Sequence, residues 1–304
     1  MRRLETTAPA KINLFLEVLP KPDGADLHPV DTVIEKIDLC DRLTLRVTPA
    51  HLDIKSNIPV LVTPENLVFK AAALLKKTYR IKEGVSISLS KKIPVSAGLG
   101  GGSSDAASVL LGLNQLWRIQ EPVSRLVPLA LGLGSDVPSF LFPGRCLVSG
   151  FGEKVKTLST PTKFQYVLIL TGVKISTAAA YRWLDDLTYQ CHSSKIMVDA
   201  LKRGRPELVA QKMFNRFQEV VTKKEKRLRG WEKKLDKNFN HYLLAGSGGA
   251  FFAFLTGQEF IPLTSILSLQ GRGKGEGDLT GSGFLSEENA GNAVKFLRVS
   301  TYGR

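Results

Sequence analysis

Residues 94–108 read PVSAGLGGGSSDAAS, and Gly98, Gly100, Gly101 and Gly102 fall within five positions. Ahead of them Val85, Ile87 and Leu89 alternate with serine, the period of a strand with one buried face. Behind them DAASVLLGLNQLW carries apolar residues at helical spacing. A strand, a stretch of bare backbone and a helix constrain the fold strongly. Glycine adopts positive φ at little cost and lets a ligand approach the main chain. Consecutive backbone N–H groups form a concave anion-binding nest, which the helix N-terminus extends with its positive end. A helix-capping turn needs one glycine rather than four, so the loop is expected to bind phosphate. Ser103 and Ser104 can add hydroxyls.

Two common phosphate loops do not fit. A Walker A loop requires a lysine after its last glycine, and none follows here. A dinucleotide fingerprint requires GxGxxG, and GLGGGS places Ser103 at the third glycine. The charge agrees with an anionic ligand: the 304 residues carry a net +14 at pH 7. Part of that excess lies in KKEKRLRGWEKKLDK, residues 223–237, which has a single aromatic residue and reads as the solvated face of a surface helix. The alternative for that segment is a nucleic-acid-binding patch. No apolar run approaches the ~20 residues of a membrane span, and the N-terminal sequence carries no apolar signal region. Cys40, Cys146 and Cys191 form no metal or disulfide pattern. Together these features lead us to expect a cytoplasmic protein with free thiols, no metal site built from protein ligands, and neither nucleic acid nor membrane as partner.

Along the chain, Ala10, Ile12, Leu14, Leu16 and Val18 alternate to share one strand face, which puts Lys11 and Asn13 together on the other. Leu43, Leu45 and Val47 repeat the alternation. TPENLVFKAAALLKK predicts a helix with Thr63 as N-cap and Pro64 in its first turn. Short helices and a strand pair around GRCLVSGFGEKV are expected over 118–157. A change of domain is expected near LSTPTK, 158–163, followed by the buried strand FQYVLIL and a helix near STAAAYRWLDDL. HYLLAGSGGAFFAFL predicts a second glycine-rich strand–turn–strand. The glycine-rich, charged stretch 268–283 reads as a mobile loop, and SEENAGNAVKFLRV as a short closing helix.

PVSAGLGGGSSDAA resembles the phosphate loop of the GHMP small-molecule kinases. PAKINLFLEV (9–18), PENLVFKAA (64–72), LGSDVPSFL (133–141) and GSGGAFFAF (246–254) extend the resemblance over nearly the whole chain. The first three are similar to the branch of that family whose acceptor is 4-diphosphocytidyl-2-C-methyl-D-erythritol, an intermediate of non-mevalonate isoprenoid synthesis. The resemblance implies an α+β, two-domain GHMP kinase fold. Residues 1–157 would be an N-terminal nucleotide-binding α/β domain, and 158–304 a ferredoxin-like C-terminal domain. It implies ATP as co-substrate with Mg²⁺, and transfer of the γ-phosphoryl group to the acceptor's 2-hydroxyl by a monomer or weak homodimer.

The same resemblance assigns residues. Asp136 would be the base and Lys11 its partner, whereas alone they read as a helix N-cap and a solvent-facing strand lysine. The ATP loop would comprise Pro94, Val95, Ser96, Ala97, Gly98, Leu99, Gly100, Gly101, Gly102, Ser103 and Ser104. Asn66 is a candidate near the adenine, or else a polar residue in a helix's first turn. Asn13 would hold the acceptor hydroxyl or a phosphate. Tyr181 would stack on cytosine, with His28 and Thr177 also on the acceptor side; alone, His28 reads as a loop histidine. The family's DGYHE is DGADLH here, with two extra residues and Leu27 at the aromatic position. Gly249 and Ala250 stand where small hydroxyl residues are more usual, and residues from about 256 to 283 look inserted. Three rivals follow: a GHMP kinase for homoserine, mevalonate or a sugar; a basic nucleic-acid-binding protein; and an inactive homologue.

Overall fold

The computed structural model describes residues 2–160, 162–185, 190–256 and 295–302. Two long strands organise it. β1 (Arg3–Val18) and β2 (Val30–Thr48) pair antiparallel from Arg3 opposite Arg46 to Val18 opposite Val30. β3 (Leu52–Ser56) leads to α1 (Leu67–Thr78), β4 (Gly84–Ser90), α2 (Gly101–Leu116), α3 (Val123–Leu133) and the single turn α4 (Val137–Phe140). β5 (Arg145–Gly150) and β6 (Lys154–Leu158) then form a hairpin. β7 (Gln165–Leu170) precedes α5 (Thr177–Asp185), α6 (Lys195–Arg203) and α7 (Pro206–Gln211). The chain continues through β8 (Phe214–Asn215), α8 (Arg216–Lys224), α9 (Lys226–Leu235), β9 (Tyr242–Leu244), β10 (Ala250–Leu255) and β11 (Lys295–Ser300).

Two sheets result. The first runs β3–β4–β2–β1–β8, with β5 also pairing β2 and β6 joined to β5. The second runs β11–β7–β10–β9, antiparallel throughout. On one face of the first sheet, Leu43, Leu45, Val85, Ile87 and Leu89 pack with Ala71 and Leu75 of α1 and Ala106, Leu110 and Leu113 of α2. Ala10, Ile12 and Leu14 of β1 instead pack with Tyr166, Leu168 and Phe252 of the second sheet. A register shift between Asn13 and Phe15 adds Phe15 to that same cluster. From Ala8 to Val18, β1 is therefore buried on both faces, and Lys11 and Asn13 with it. The second sheet's other face carries Phe217 and Val221 of α8 and Leu228 and Leu235 of α9. The basic stretch 223–237 thus contains an amphipathic helix, with Lys226, Lys233, Lys234 and Lys237 exposed.

Two sequence expectations are corrected. The cap of α1 is Asn66, whose Oδ1 accepts from the Val68 N–H at 3.0 Å; Thr63 instead accepts from the Glu65 N–H outside the helix. The closing segment is a strand where it is described: Lys295–Ser300 pairs with the whole of β7. Strand preference is decided by neighbours more than by the chain itself, and β7 supplies an unpaired edge there. Residues 257–294, which contain the glycine-rich stretch, lie outside the described residues.

Candidate active site

The loop after β4 carries positive φ at Ser96 (61°), Gly98 (82°) and Gly100 (68°). Gly100 is the N-cap of α2, and the first helical bond runs from the Ser104 N–H to the Gly100 carbonyl at 2.9 Å. The amides of the first turn lie outside that ladder, at the helix's positive end. Beside them lies a cavity of about 310 Å³ whose lining includes the loop from Pro94 to Ser103, Asn66, Lys11 and Asp136. Ser104 does not line it: its side chain is fully buried and its hydroxyl has no hydrogen-bond partner in the structure. Asn66 contributes from the cap of α1, where its Nδ2 also donates to the Leu61 carbonyl at 2.8 Å.

The second glycine segment supports the loop directly. A Cβ on Gly248 would lie 2.5 Å from the Gly98 nitrogen, and one on Gly246 would lie 2.7 Å from the Gly98 oxygen and 2.9 Å from Lys11 Nζ. The Lys11 N–H donates to the Leu99 carbonyl at 2.9 Å, and the Asn13 N–H to Ala245 at 3.1 Å. Both glycine segments are therefore threaded onto β1. Gly249, where a small hydroxyl residue is more usual, packs so closely that a Cβ would lie 2.0 Å from the Val173 oxygen.

A second cavity, about 450 Å³, lies beside the first and shares Lys11, Asp136, Thr177 and Ser247 with it. Lys11, 4% exposed, donates from Nζ to Asn13 Oδ1 at 2.6 Å and lies 3.9 Å from Asp136 Oδ2. Asn13 Nδ2 donates to Thr32 Oγ1 at 2.7 Å, and Thr32 donates on to the Phe15 carbonyl. That chain fixes which way the Asn13 amide points. Asp136 occupies the N-cap position of α4, as its sequence suggests, but its side chain makes no capping bond and is 46% exposed. The carboxylate is thus oriented by Lys11 and open to the cavity. Thr177 and Ser247 share a hydrogen bond of 3.0 Å across the boundary between the cavities.

The far end of the second cavity holds Tyr181, His28 and Leu27. The His28 ring stacks on Tyr181 at 5.6 Å and 27°, while Phe217 meets Tyr181 edge-on at 4.9 Å. His28 Nδ1 lies 2.9 Å from the Leu19 carbonyl and Nε2 lies 2.7 Å from Asp185 Oδ1. Leu27 is 61% exposed. Sequence reasoning missed Thr32, Ser247 and Asp185. Of these, only Ser247 lies within a motif that carries the resemblance, GSGGAFFAF. Among the described residues no group of three or more His, Cys, Asp or Glu side chains is placed to hold a metal ion. No described helix is long and apolar enough to cross a membrane.

Comparison with known proteins agrees with this geometry. Residues 66–144 match the family model "GHMP kinases N terminal domain". The chain is 38% identical to 4-diphosphocytidyl-2-C-methyl-D-erythritol kinase of Geobacillus thermodenitrificans over 83% of this chain and 88% of that one. The fold matches a crystal structure of 4-(cytidine 5'-diphospho)-2C-methyl-D-erythritol kinase with a TM-score of 0.74 and 28% identity, covering 99% of this chain and 100% of that one. Homoserine kinase from Cytophaga hutchinsonii shares the fold at TM-score 0.66 and 21% identity, over 88% of this chain and 89% of its own. With the interlocked glycine segments, the Lys11–Asp136 pair and this identity over most of its length, the chain belongs to the 4-diphosphocytidyl-2-C-methyl-D-erythritol kinases, within the GHMP kinase fold.

Proposed function

We propose that this protein transfers the γ-phosphoryl group of ATP to the 2-hydroxyl of 4-diphosphocytidyl-2-C-methyl-D-erythritol where its two cavities meet. The observation that carries this reading is that Lys11 and Asp136 line both cavities. A nucleotide held by the glycine loop and an acceptor in the neighbouring cavity would bring phosphate and alcohol together at that pair. Residues 1–157 would supply the nucleotide side, and 158–304 would add Thr177, Tyr181 and Ser247 to the acceptor side.

Phosphoryl transfer is governed by positioning and by neutralisation of charge. Asp136 would take the hydroxyl proton as the oxygen attacks, with no covalent phospho-enzyme. Lys11 would orient Asp136 and stabilise charge on the transferring group. Asn13, its amide held by Thr32, would hold the acceptor. Tyr181 would carry the cytosine, with Leu27 on the approach side and His28 held by Asp185. Mg²⁺ suits oxygen ligands and keeps much of its water. Among the described residues the loop cavity is lined by two carboxylate residues, Asp105 and Asp136, and by the hydroxyl residues Ser96, Ser103, Thr177 and Ser247, so phosphate and water would complete its shell. The ion would supply charge neutralisation. We assign the reaction to the cytoplasm, with a monomer or weak homodimer as the working unit.

ADP release from Mg-ATP, with the cytidine acceptor compared against homoserine and mevalonate, tests the reading. Turnover is expected with the cytidine acceptor alone. Turnover with either of the others instead would overturn the acceptor assignment.

A further inference from the structure

Beside Lys11 stands a second buried lysine to which the reaction above gives no role. Lys36 of β2 is the pairing partner of Lys11 on β1 and is 3% exposed. It lines neither cavity. Its ammonium donates instead to the Phe142 carbonyl, two residues past α4. Nζ also lies 5.9 Å from the centre of the Phe140 ring and 3.9 Å from Cys146 Sγ. The Cys146 thiol, fully buried on β5, lies 3.7 Å from the Ser139 carbonyl oxygen. Carbonyls at a helix end have no donor within the helix. Two neighbouring strands thus hold the C-terminal end of the turn whose N-cap position is Asp136.

That turn behaves as one unit. Ser139 Oγ donates to the Asp136 carbonyl at 2.7 Å, the Val137 N–H to Gly134 at 3.1 Å and the Leu141 N–H to Pro138 at 3.1 Å. Val137, Phe140 and Leu141 pack with α2 in the core. Apolar burial is non-directional, so it holds the turn down without fixing its rotation. A charged hydrogen bond to a main-chain carbonyl is directional. The Asp136 side chain makes no capping bond, so the place of its carboxylate follows from where its main chain is put.

We propose that Lys36 is a positioning residue for Asp136: its ammonium fixes the α4 turn against β2 and so sets the carboxylate at the junction of the two cavities. The inference rests on the reading of Asp136 as the base. Lys36 touches neither cavity, so its effect reaches the reaction through Asp136.

Lys36→Met keeps the bulk of the stem and removes the ammonium. It is expected to lower kcat roughly 10- to 100-fold, as a shift of up to about 1 Å in a reacting group can. The KM values for ATP and the acceptor should stay within about twofold, because both cavities keep their linings. A double variant shows whether the loss runs through Asp136. In the Asp136→Asn background no base remains to be placed, so Lys36→Met should cost less than about threefold more. A general loosening of the fold would lower kcat by the same factor in both backgrounds. Lys36→Gln, whose amide stops one bond short of the ammonium, should repeat the pattern; circular dichroism and the Kd of Mg-ATP report whether each variant is folded. Wild-type kcat in both Lys36 variants, raised KM values with kcat intact, or equal losses in the two backgrounds would overturn the proposal. Failure of both variants to fold would make Lys36 a stability residue and overturn it too. Wild-type turnover in Asp136→Asn alone would overturn the base assignment itself, and the proposal with it.

Discussion

Asp136 is held by a contact long enough to leave it reactive. At 3.9 Å from Lys11 and 46% exposed, its carboxylate is oriented but not saturated, as a proton acceptor must be. Asp136→Asn is expected to reduce kcat by roughly 10²- to 10⁴-fold while the Kd for Mg-ATP stays within about twofold; wild-type turnover would remove Asp136 from the mechanism. At the other end of the cavity, a cytosine stacked on Tyr181 as proposed would find Leu27, not an aromatic ring, on its other face. Base–aromatic stacking is worth ~1–3 kcal/mol, so Leu27→Tyr should lower the KM for the cytidine acceptor by roughly fivefold or more, with kcat unchanged. Asp105 of α2, 2% exposed and bonded to the Lys91 ammonium at 2.7 Å, carries a prediction about stability. Burial pushes its folded value up to about 7, above the ordinary 3.8, so between those limits folding takes up a proton and stability falls as pH rises. The contribution, about 1.4 kcal/mol per pH unit at most, should vanish in Asp105→Asn. Urea midpoints measured from pH 5 to 8 check it, and parallel slopes for the two proteins would refute it.

At the scale of elements, the loop depends on a partner 150 residues away in sequence, because Gly98 and Gly248 touch backbone to backbone. Gly248→Ala would place a methyl 2.5 Å from the Gly98 nitrogen and 2.6 Å from the Ala97 carbonyl carbon. Main chain cannot yield as a side-chain tip can, so the loop itself must move. We expect Mg-ATP binding weakened roughly 5- to 150-fold, by about 1–3 kcal/mol of strain, with the melting temperature changed far less. An unaltered Kd would show that the two segments are not mechanically joined. Much of this was legible in the sequence. The glycine run between a strand pattern and a helix pattern placed the loop, and the alternation of β1 put Lys11 and Asn13 side by side. The burial of Lys11 was not legible, because period 2 names the faces of a strand but not what covers them. The Lys91 ammonium bonds Asp41 and Asp105, 50 and 14 positions away, and no local pattern marks such pairs. The closing strand was misread for a related reason: KFLRVS becomes a strand through pairing with β7, a partner its own composition does not reveal.

For the whole molecule, the two halves of the chain share a core more than they divide one. Ile12 and Leu14 pack with Tyr166 and Phe252, β8 hydrogen-bonds to β1, and Arg216 on α8 donates two bonds of 2.7 Å to the fully buried Glu17 of β1. Glu17 also accepts the His192 N–H at 2.8 Å, which fastens the segment between α5 and α6. Removing one partner of such a buried pair strands a charge and costs about 3–5 kcal/mol. A domain boundary near 158 would therefore divide the sequence while leaving no half with a complete interior. We expect one cooperative unfolding transition. The tryptophans report on both parts, Trp117 packing with α1–α3 and Trp183 and Trp231 with the second sheet's helices. In urea, a protein retaining only Trp117 and one retaining only Trp183 and Trp231 should unfold at the same midpoint, coincident with circular dichroism. Two separated transitions would mean that the β1 seam holds the site together without holding the halves to a common fate.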